Sequence, residues 1–379
     1  MVSEKSIFWC GSILNHAGLK RYKGEAPSAT QWSRGLIGGI NQQDIDVKLF
    51  APIWDSLFPK GKLFPVNKKY LDDHYNQIPV HYINAPLLRT KSVATALTYR
   101  ILKYIKTYGA PLAIFNYNTY PHYCKAIKAV KRKYPDIIWV NLVLDLDDPL
   151  NDNWLAFKND VLGSDGCVFL SWWGYENAPI KHKIHLDSGW NGNLPKHEDN
   201  GENVFIYAGK LSDVGGIATI IEAIKHYPQQ DVYFDFYGKG HHAGLEELAS
   251  KDNRVRIRGF VSDEELDKAC SHAKVFLSPR DLNFQGTRMV FPSKNLFYLT
   301  YRKPIISQML PGLSPEYEKI MLTPPGDDPK SWSETMLYAM HMDEERLQDL
   351  ANRIESFLYT RKWENQASKL MNFVKELSK

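Results

Sequence analysis

A lysine two places after a proline, in Phe291-Pro292-Ser293-Lys294, is the kind of placement that meets an anion. Proline suits a first helical turn because its missing N–H would go unbonded there, and a serine beside it can serve the remaining open donors. A helix is therefore expected from about Pro292. Its free N–H groups and positive dipole end would point outward and Lys294 would add a full charge, so phosphate is the natural guest. The plainer reading of the tripeptide alone is that Ser293 caps the helix and Lys294 is solvated. A second group is Asp145-Leu146-Asp147-Asp148, at the end of the apolar run Ile137–Leu144. Acids so close together are costly unless solvated or paired, so Asp145 or Asp147 is expected to contact a sugar hydroxyl or a basic group, or else to cap the next helix. A third is His16 with Gly18, in the loop after the first strand-like run, Ser6–Cys10. In an open α/β sheet the ligand lies at such strand ends.

The elements that must position these groups alternate in type. Strand-like runs at 6–10, 46–51, 80–83, 112–116, 137–144 and 166–171 are interleaved with helical periodicity at 28–41, 95–107 and 120–134. The Pro- and Lys-rich stretch 52–79 is an irregular insertion, read as acceptor-side because loops of that length in compact domains are often functional. A second series follows, with strands near 203–209, 231–237, 254–259, 274–278 and 304–307 and an edge strand at 320–323. Ser262 and Glu265 have capping-box spacing, and helices are expected at 329–340, 344–357 and 363–377. The polar stretch between the two series is the linker. The fold expected is α/β, with two doubly wound Rossmann-like domains facing across a cleft. Their bounds are 1–192, a linker 193–202, 203–357, and a last helix 358–379 returning to the first domain, where Trp363 is core.

The pattern Pro292-Ser293-Lys294, Tyr298-Leu299 and Lys303-Pro304-Ile305-Ile306 resembles the C-terminal domain of GT-B glycosyltransferases of the retaining group 1 (family 4-like) kind. The resemblance implies that this segment lies against the diphosphate of a nucleotide sugar. It also implies that Gly209-Lys210 places a second cation on that diphosphate and that Gly215 offers backbone N–H groups where relatives carry a lysine. On the same basis Gly238 lies in a turn near the nucleotide, Phe260 and Val261 meet the base, and Gly18 belongs to a donor-contacting glycine loop. Arg288, in a loop that relatives use for the donor sugar, would hold a phosphate or a carboxylated sugar, or pair with Asp281. The family's two glutamates fall on Phe297 and Met289, neither acidic.

The bulk properties fit a soluble two-domain protein: 379 residues, 44% hydrophobic and 24% charged, with no apolar run of membrane-spanning length and a start unlike a signal peptide. A cytoplasmic protein is expected. Cys10, Cys124, Cys167 and Cys270 stand apart without metal-ligand spacing and are read as buried thiols, and no metal is predicted. Residues 1–190 carry 23 Lys and Arg against 16 acids, whereas the remainder is slightly acidic. The basic clusters at 20–23, 60–62, 68–69 and 131–133 would meet an anionic membrane surface or a lipid-pyrophosphate acceptor, or simply be solvated faces. No nucleic-acid motif accompanies them.

The function expected is transfer of a sugar from a nucleotide-diphosphate sugar to a hydroxyl of a glycan or lipid-linked acceptor. It would take place in surface polysaccharide synthesis, peripheral to the inner face of the membrane. The donor is a substrate and no cofactor is expected. The resemblance favours retention; inversion would need His16 or one of the acids as base. The alternatives are a non-catalytic GT-B partner subunit, supported by the missing glutamates, and a UDP-sugar epimerase.

Overall fold

Uninterrupted apolar runs bounded by polar turns belong in parallel sheets covered on both faces, and the chain builds two of them. The computed structural model describes residues 2–22, 27–146, 153–196, 201–284 and 286–379; the side chains at 2–5, 27, 28 and 288 are not among those described. The chain divides into two compact units, one formed by residues 1–191 together with 362–379 and the other by 192–361.

The first unit holds seven parallel strands: β1 (Val2–Cys10), β2 (Asp46–Ala51), β3 (Gln77–Pro79), β4 (Ala110–Tyr117), β5 (Ile138–Val143), β6 (Gly166–Phe169) and β7 (Lys183–His185). Their order in the sheet is β3-β2-β1-β4-β5-β6-β7. Alternation along β1 sends Ile7 and Trp9 to one face and Phe8 and Cys10 to the other. Ile7 and Trp9 pack with Leu36 and Ile40 of helix Pro27–Asn41 and with Leu370 and Val374 of helix Trp363–Leu377. Phe8 and Cys10 pack with Leu97 and Ile101 of helix Arg89–Tyr108 and with Ile127 and Val130 of helix Pro121–Lys131. The helix that contains Trp363 is thus part of the first unit's core although it follows the whole second unit in sequence.

The second unit holds five parallel strands, β8 (Val204–Ala208), β9 (Tyr233–Tyr237), β10 (Val255–Gly259), β11 (Val275–Leu277) and β12 (Ile305–Ile306), in the order β10-β9-β8-β11-β12. Its core joins Phe205, Tyr207, Phe234 and Phe236 of the sheet to Ile217, Ile220 and Ile224 of helix Ile217–His226 and to Trp332 and Met336 of helix Pro329–Met340.

Several elements differ from their sequence reading, each for a local reason. The third strand is Gln77–Pro79 and not 80–83. The Gln77 side chain, bonded at 2.9 Å both to the N–H and to the carbonyl of Ile13, ties the chain beside β2 one turn earlier. Pro79 is tolerated because the strand lies at the sheet edge. Residues 320–323 form no strand; Leu322 makes one isolated bridge to Ile306. The helix after Phe291 starts at Ser293, with Pro292 as its N-cap, and runs only to Leu299. The helix predicted to end at 357 continues to Thr360, where Phe357 and Leu358 are still buried. All four cysteines are buried and free, and burial pushes the thiols of Cys124, Cys167 and Cys270 up to about 12.

Candidate functional site

In a sheet of order β10-β9-β8-β11-β12, the chain passes to opposite sides after β8 and after β11, and the carboxyl ends of these two neighbours form the crevice where ligands of open α/β sheets bind. Gly209-Lys210 follows β8, and Ser278-Pro279-Arg280 follows β11. Two close approaches bring the loops together. Gly216, at φ 77°, lies so near the second loop that a Cβ there would be 2.6 Å from Pro279 Cβ and 2.7 Å from the Arg280 nitrogen. Gly238, at φ 140°, lets the loop after β9 pass against Gly209, whose carbonyl oxygen would be 1.7 Å from an added Cβ. Both positions need glycine for conformation and for space.

Lys294 enters the same place from helix Ser293–Leu299. That helix is pinned to the end of β8 by Tyr298, whose hydroxyl accepts from the Ala208 N–H at 2.6 Å and donates to the Ala208 carbonyl at 3.2 Å. Asn295, fully buried, accepts from Ser278 Oγ at 2.5 Å and so ties the helix to the loop after β11 as well. The Lys294 ammonium lies 4.2 Å over the ring of Tyr207. The Tyr207 hydroxyl donates to the Lys210 carbonyl at 2.9 Å, and burial pushes it up to about 12, so it keeps its proton and acts as scaffold. Gln308 fixes the Arg280 backbone, accepting from its N–H at 3.0 Å and donating to its carbonyl at 3.1 Å.

The result is a site with an electrostatic deficit. Burial, and then the nearby Arg280 guanidinium, hold the Lys294 pKa well below the ordinary lysine range. Among the described residues no carboxylate pairs with Lys210, Arg280 or Lys294. Arg280 Nε is buried with no hydrogen-bond partner, and so is Ser212 Oγ in the loop beside Lys210. Partly buried cations without an acid partner and orphaned donors are costly, and an anion with several oxygens would relieve them.

The remaining positions read from sequence fall as follows. Gly209, Lys210, Gly215 and Gly238 lie on the connections at the carboxyl edge of the second sheet, and Ser293 and Lys294 in the first turn of helix Ser293–Leu299; Ser293 is exposed and makes no side-chain cap. Gly215 is buried and its carbonyl lies 3.4 Å from the Tyr207 hydroxyl. Phe260 and Val261 follow β10 at the same edge; Phe260 is exposed and the Lys239 ammonium lies 4.0 Å over its ring. In the first unit, His16 is exposed at the start of the short helix His16–Arg21. The Gly18 N–H is taken by the Asn15 cap at 2.9 Å, and a Cβ there would be 2.5 Å from the Tyr70 carbonyl, so packing alone accounts for that glycine. Asp145 is exposed after β5, with Oδ2 accepting from Asn118 Nδ2 at 3.0 Å. Asn118 is itself buried at φ 54° and accepts through its side chain from the N–H groups of Leu144 and Asp145. Asp147 and the Arg288 side chain lie outside the described residues. Met289 is buried and Phe297 is partly exposed where acids stand in the resembling enzymes.

Sequence reasoning missed Arg280 and Tyr207. Nothing in Ser278-Pro279-Arg280 marks the arginine locally. The usable signal was strand order, since an arginine after the strand that flanks the first strand of such a sheet is aimed at its crevice.

The second unit's residues 194–357 match the family described as "Glycosyl transferases group 1". No curated protein matches the chain by sequence. Among solved structures, sucrose-phosphate synthase from Thermosynechococcus elongatus superposes with a TM-score of 0.65 at 14% identity, over 99% of each chain. The lipopolysaccharide outer core galactosyltransferase WaaB superposes with 0.67 at 15% identity, over 98% of this chain and 99% of that one. HepE from Anabaena, solved with UDP and glucose, gives 0.63 at 13% identity, over 98% and 100%. At such identities the superpositions speak for the architecture and the family match for the second unit. Residues 194–357 thus match the group 1 glycosyl transferase family, and the chain as a whole has the two-sheet α/β fold of the GT-B enzymes on which it superposes.

Proposed function

We propose that the chain transfers a sugar from a nucleotide-diphosphate sugar to a hydroxyl of a glycan or lipid-linked acceptor, in the synthesis of a surface polysaccharide at the inner face of a membrane. The observation that carries the donor half is the set of cations at the β8/β11 edge, Lys210, Arg280 and Lys294, with Arg280 Nε unbonded and no acid paired to any of them among the described residues.

The chemistry asks little more of these residues than charge and position. As the acceptor oxygen bonds to the sugar's anomeric carbon, the bond from that carbon to the diphosphate breaks, negative charge grows on the departing oxygens, and the hydroxyl proton passes to the departing phosphate. Fixed cations in a half-buried crevice stabilise that charge more than the same ions would in water. They fill the role a divalent metal would otherwise have, so the proposed reaction is metal-independent and needs no cofactor. Retention is the course implied by the group 1 likeness, and it requires no side-chain base. Asp145, with one oxygen fixed by Asn118, is then assigned to a sugar hydroxyl and His16 to the acceptor side, with Gly18 as packing. Phe260 and Val261 are assigned to the nucleotide base; UDP is the nucleotide to try first, since HepE of the same architecture was solved with it.

Calorimetry with UDP, GDP and CMP tests the donor site. The expected result is binding of one diphosphate, undiminished by a chelator, and its reduction by roughly tenfold or more in Lys294→Ala or Arg280→Met, as for the loss of a charge-assisted bond. Lys294→Ala should also abolish most transfer while the melting temperature holds. No heat with any nucleotide would leave a non-catalytic subunit as the better account, and wild-type turnover in Lys294→Ala would remove the phosphate role.

A further inference from the structure

The first unit carries a feature that sugar transfer alone does not use. Six of its exposed large apolar side chains, Leu57, Phe58, Phe64, Ile83, Leu87 and Leu88, fall within residues 57–88, whereas Leu155, Leu162 and three tyrosines are exposed elsewhere in the unit. They are also neighbours in space. Asn84, fully buried, donates through its side chain to the carbonyls of Ser56 and Lys62 at 2.7 and 2.9 Å. Its backbone pairs with Phe58 at 3.1 Å and Leu63 at 2.8 Å. One asparagine therefore gathers three stretches of chain into a single tip. At that tip Leu87 is wholly exposed and held at φ 61°. A branched residue in the left-handed region is strained, and a solvated leucine gains nothing from burial. Nothing among the described residues repays either cost, which points to a partner that does.

The charge around the tip says which partner. Lys60 and Lys62 within it and Lys91 three residues past Leu88 are exposed, and from His74 to Pro135 the sequence has ten Lys and Arg and no Asp or Glu. Asp55, the acid nearest the tip, is buried and turned inward, taken by the N–H groups of Ser56 and Lys62. Apolar side chains among lysines match a bilayer with anionic headgroups, where leucine and phenylalanine enter the acyl boundary and lysines meet the phosphates. We infer that Leu57, Phe58, Phe64, Ile83, Leu87 and Leu88 form a membrane-inserting tip that docks the first unit on an anionic bilayer. This rests on the reading of a membrane-bound acceptor and gives it a surface. Arg89, directly after Leu88, stacks 4.1 Å over Trp54, and Trp54, His122 and Tyr120 continue the stack toward Asn118 and Asp145. The tip is thereby joined through packed side chains to the loop that carries Asp145.

The test is co-sedimentation of the whole chain with vesicles of phosphatidylcholine plus phosphatidylglycerol, and of phosphatidylcholine alone. The chain should pellet with the anionic vesicles and far less with the neutral ones, and salt should weaken the binding. The double variant Leu87→Asn/Leu88→Ser should lose binding by roughly tenfold or more without a lower melting temperature, because asparagine accepts the left-handed backbone. Lys60→Glu/Lys62→Glu should abolish the preference for the anionic vesicles. Retention by neither vesicle, equal retention by both, or wild-type binding of the leucine variant would overturn the inference. Nucleotide calorimetry on the same samples separates the two readings: UDP binding without vesicle binding sinks the tip alone, and vesicle binding without nucleotide binding sinks the donor site alone.

Discussion

His122 is held between flat neighbours, 4.9 Å from Trp54 and 5.6 Å from Tyr120 with the rings nearly parallel, and its Nε2 is buried without a partner. Burial, and then the Arg89 charge, push its pKa down to about 3. Below the ordinary histidine value the unfolded chain takes up a proton that the folded ring refuses. The stability tied to this residue is therefore complete above about pH 6.5 and is lost progressively as pH falls toward 3, amounting to about 2 kcal/mol at pH 5. Melting curves from pH 7 to 5 should show that decline, and His122→Phe should flatten it; an unchanged slope would mean the ring is hydrated in solution. The same scale shows what a sequence can reveal. Lys294 was legible because Pro-Ser-Lys before an apolar helix is a local pattern. Arg280 was not, since its meaning comes from β11 lying beside β8, two strands some 70 residues apart, and from its having no acid paired with it among the described residues. His122 was equally silent, because its burial depends on Trp54 arriving from another loop.

At the scale of elements, one indole decides how the last helix meets the first unit. Trp363 lies edge to face with Trp32, ring centroids 6.1 Å apart, and is received by three glycines. A Cβ on Gly35 would be 2.0 Å from its Cε2, one on Gly189 2.6 Å from its Cδ2, and one on Gly39 2.4 Å from its carbonyl oxygen. In a free helix Gly35→Ala would stabilise by up to about 1 kcal/mol. Here it should destabilise by about 1–3 kcal/mol, as overpacking does, and thermal melting would read the sign directly. Gly38→Ala on the same helix, which meets nothing within 4 Å, is the control and should be neutral or stabilising. The helices and most strands could be placed from sequence because their apolar period is internal to each segment. The short helix Trp172–Asn177 and strand β3 could not, the first being six residues long and the second fixed by the Gln77 side chain.

At the scale of the molecule, the first unit is discontinuous: 1–191 is completed by 362–379, while 192–361 is one unbroken stretch. Ala367, Leu370, Met371, Phe373 and Val374 are all members of the first unit's core. A chain cut after Arg361 should therefore expose that core and leave the other unit whole. Limited proteolysis should then degrade 1–191 and spare a fragment near 192–361, and equal resistance of both would show that the last helix is dispensable. The repeated alternation of strand and helix made two sheets legible in advance, because that pattern permits few other topologies. The sequence shows 52–79 as an irregular acceptor-side insertion and 80–83 as a strand, but the tip they form is not legible, since exposure of an apolar residue is not written in its neighbours. The split also bears on how the protein comes into being. During translation the second unit has all its residues as soon as Arg361 leaves the ribosome, whereas the first unit must wait, with Leu36 and Trp32 uncovered, until helix Trp363–Leu377 is released. That interval is when the nascent chain has most need of a chaperone.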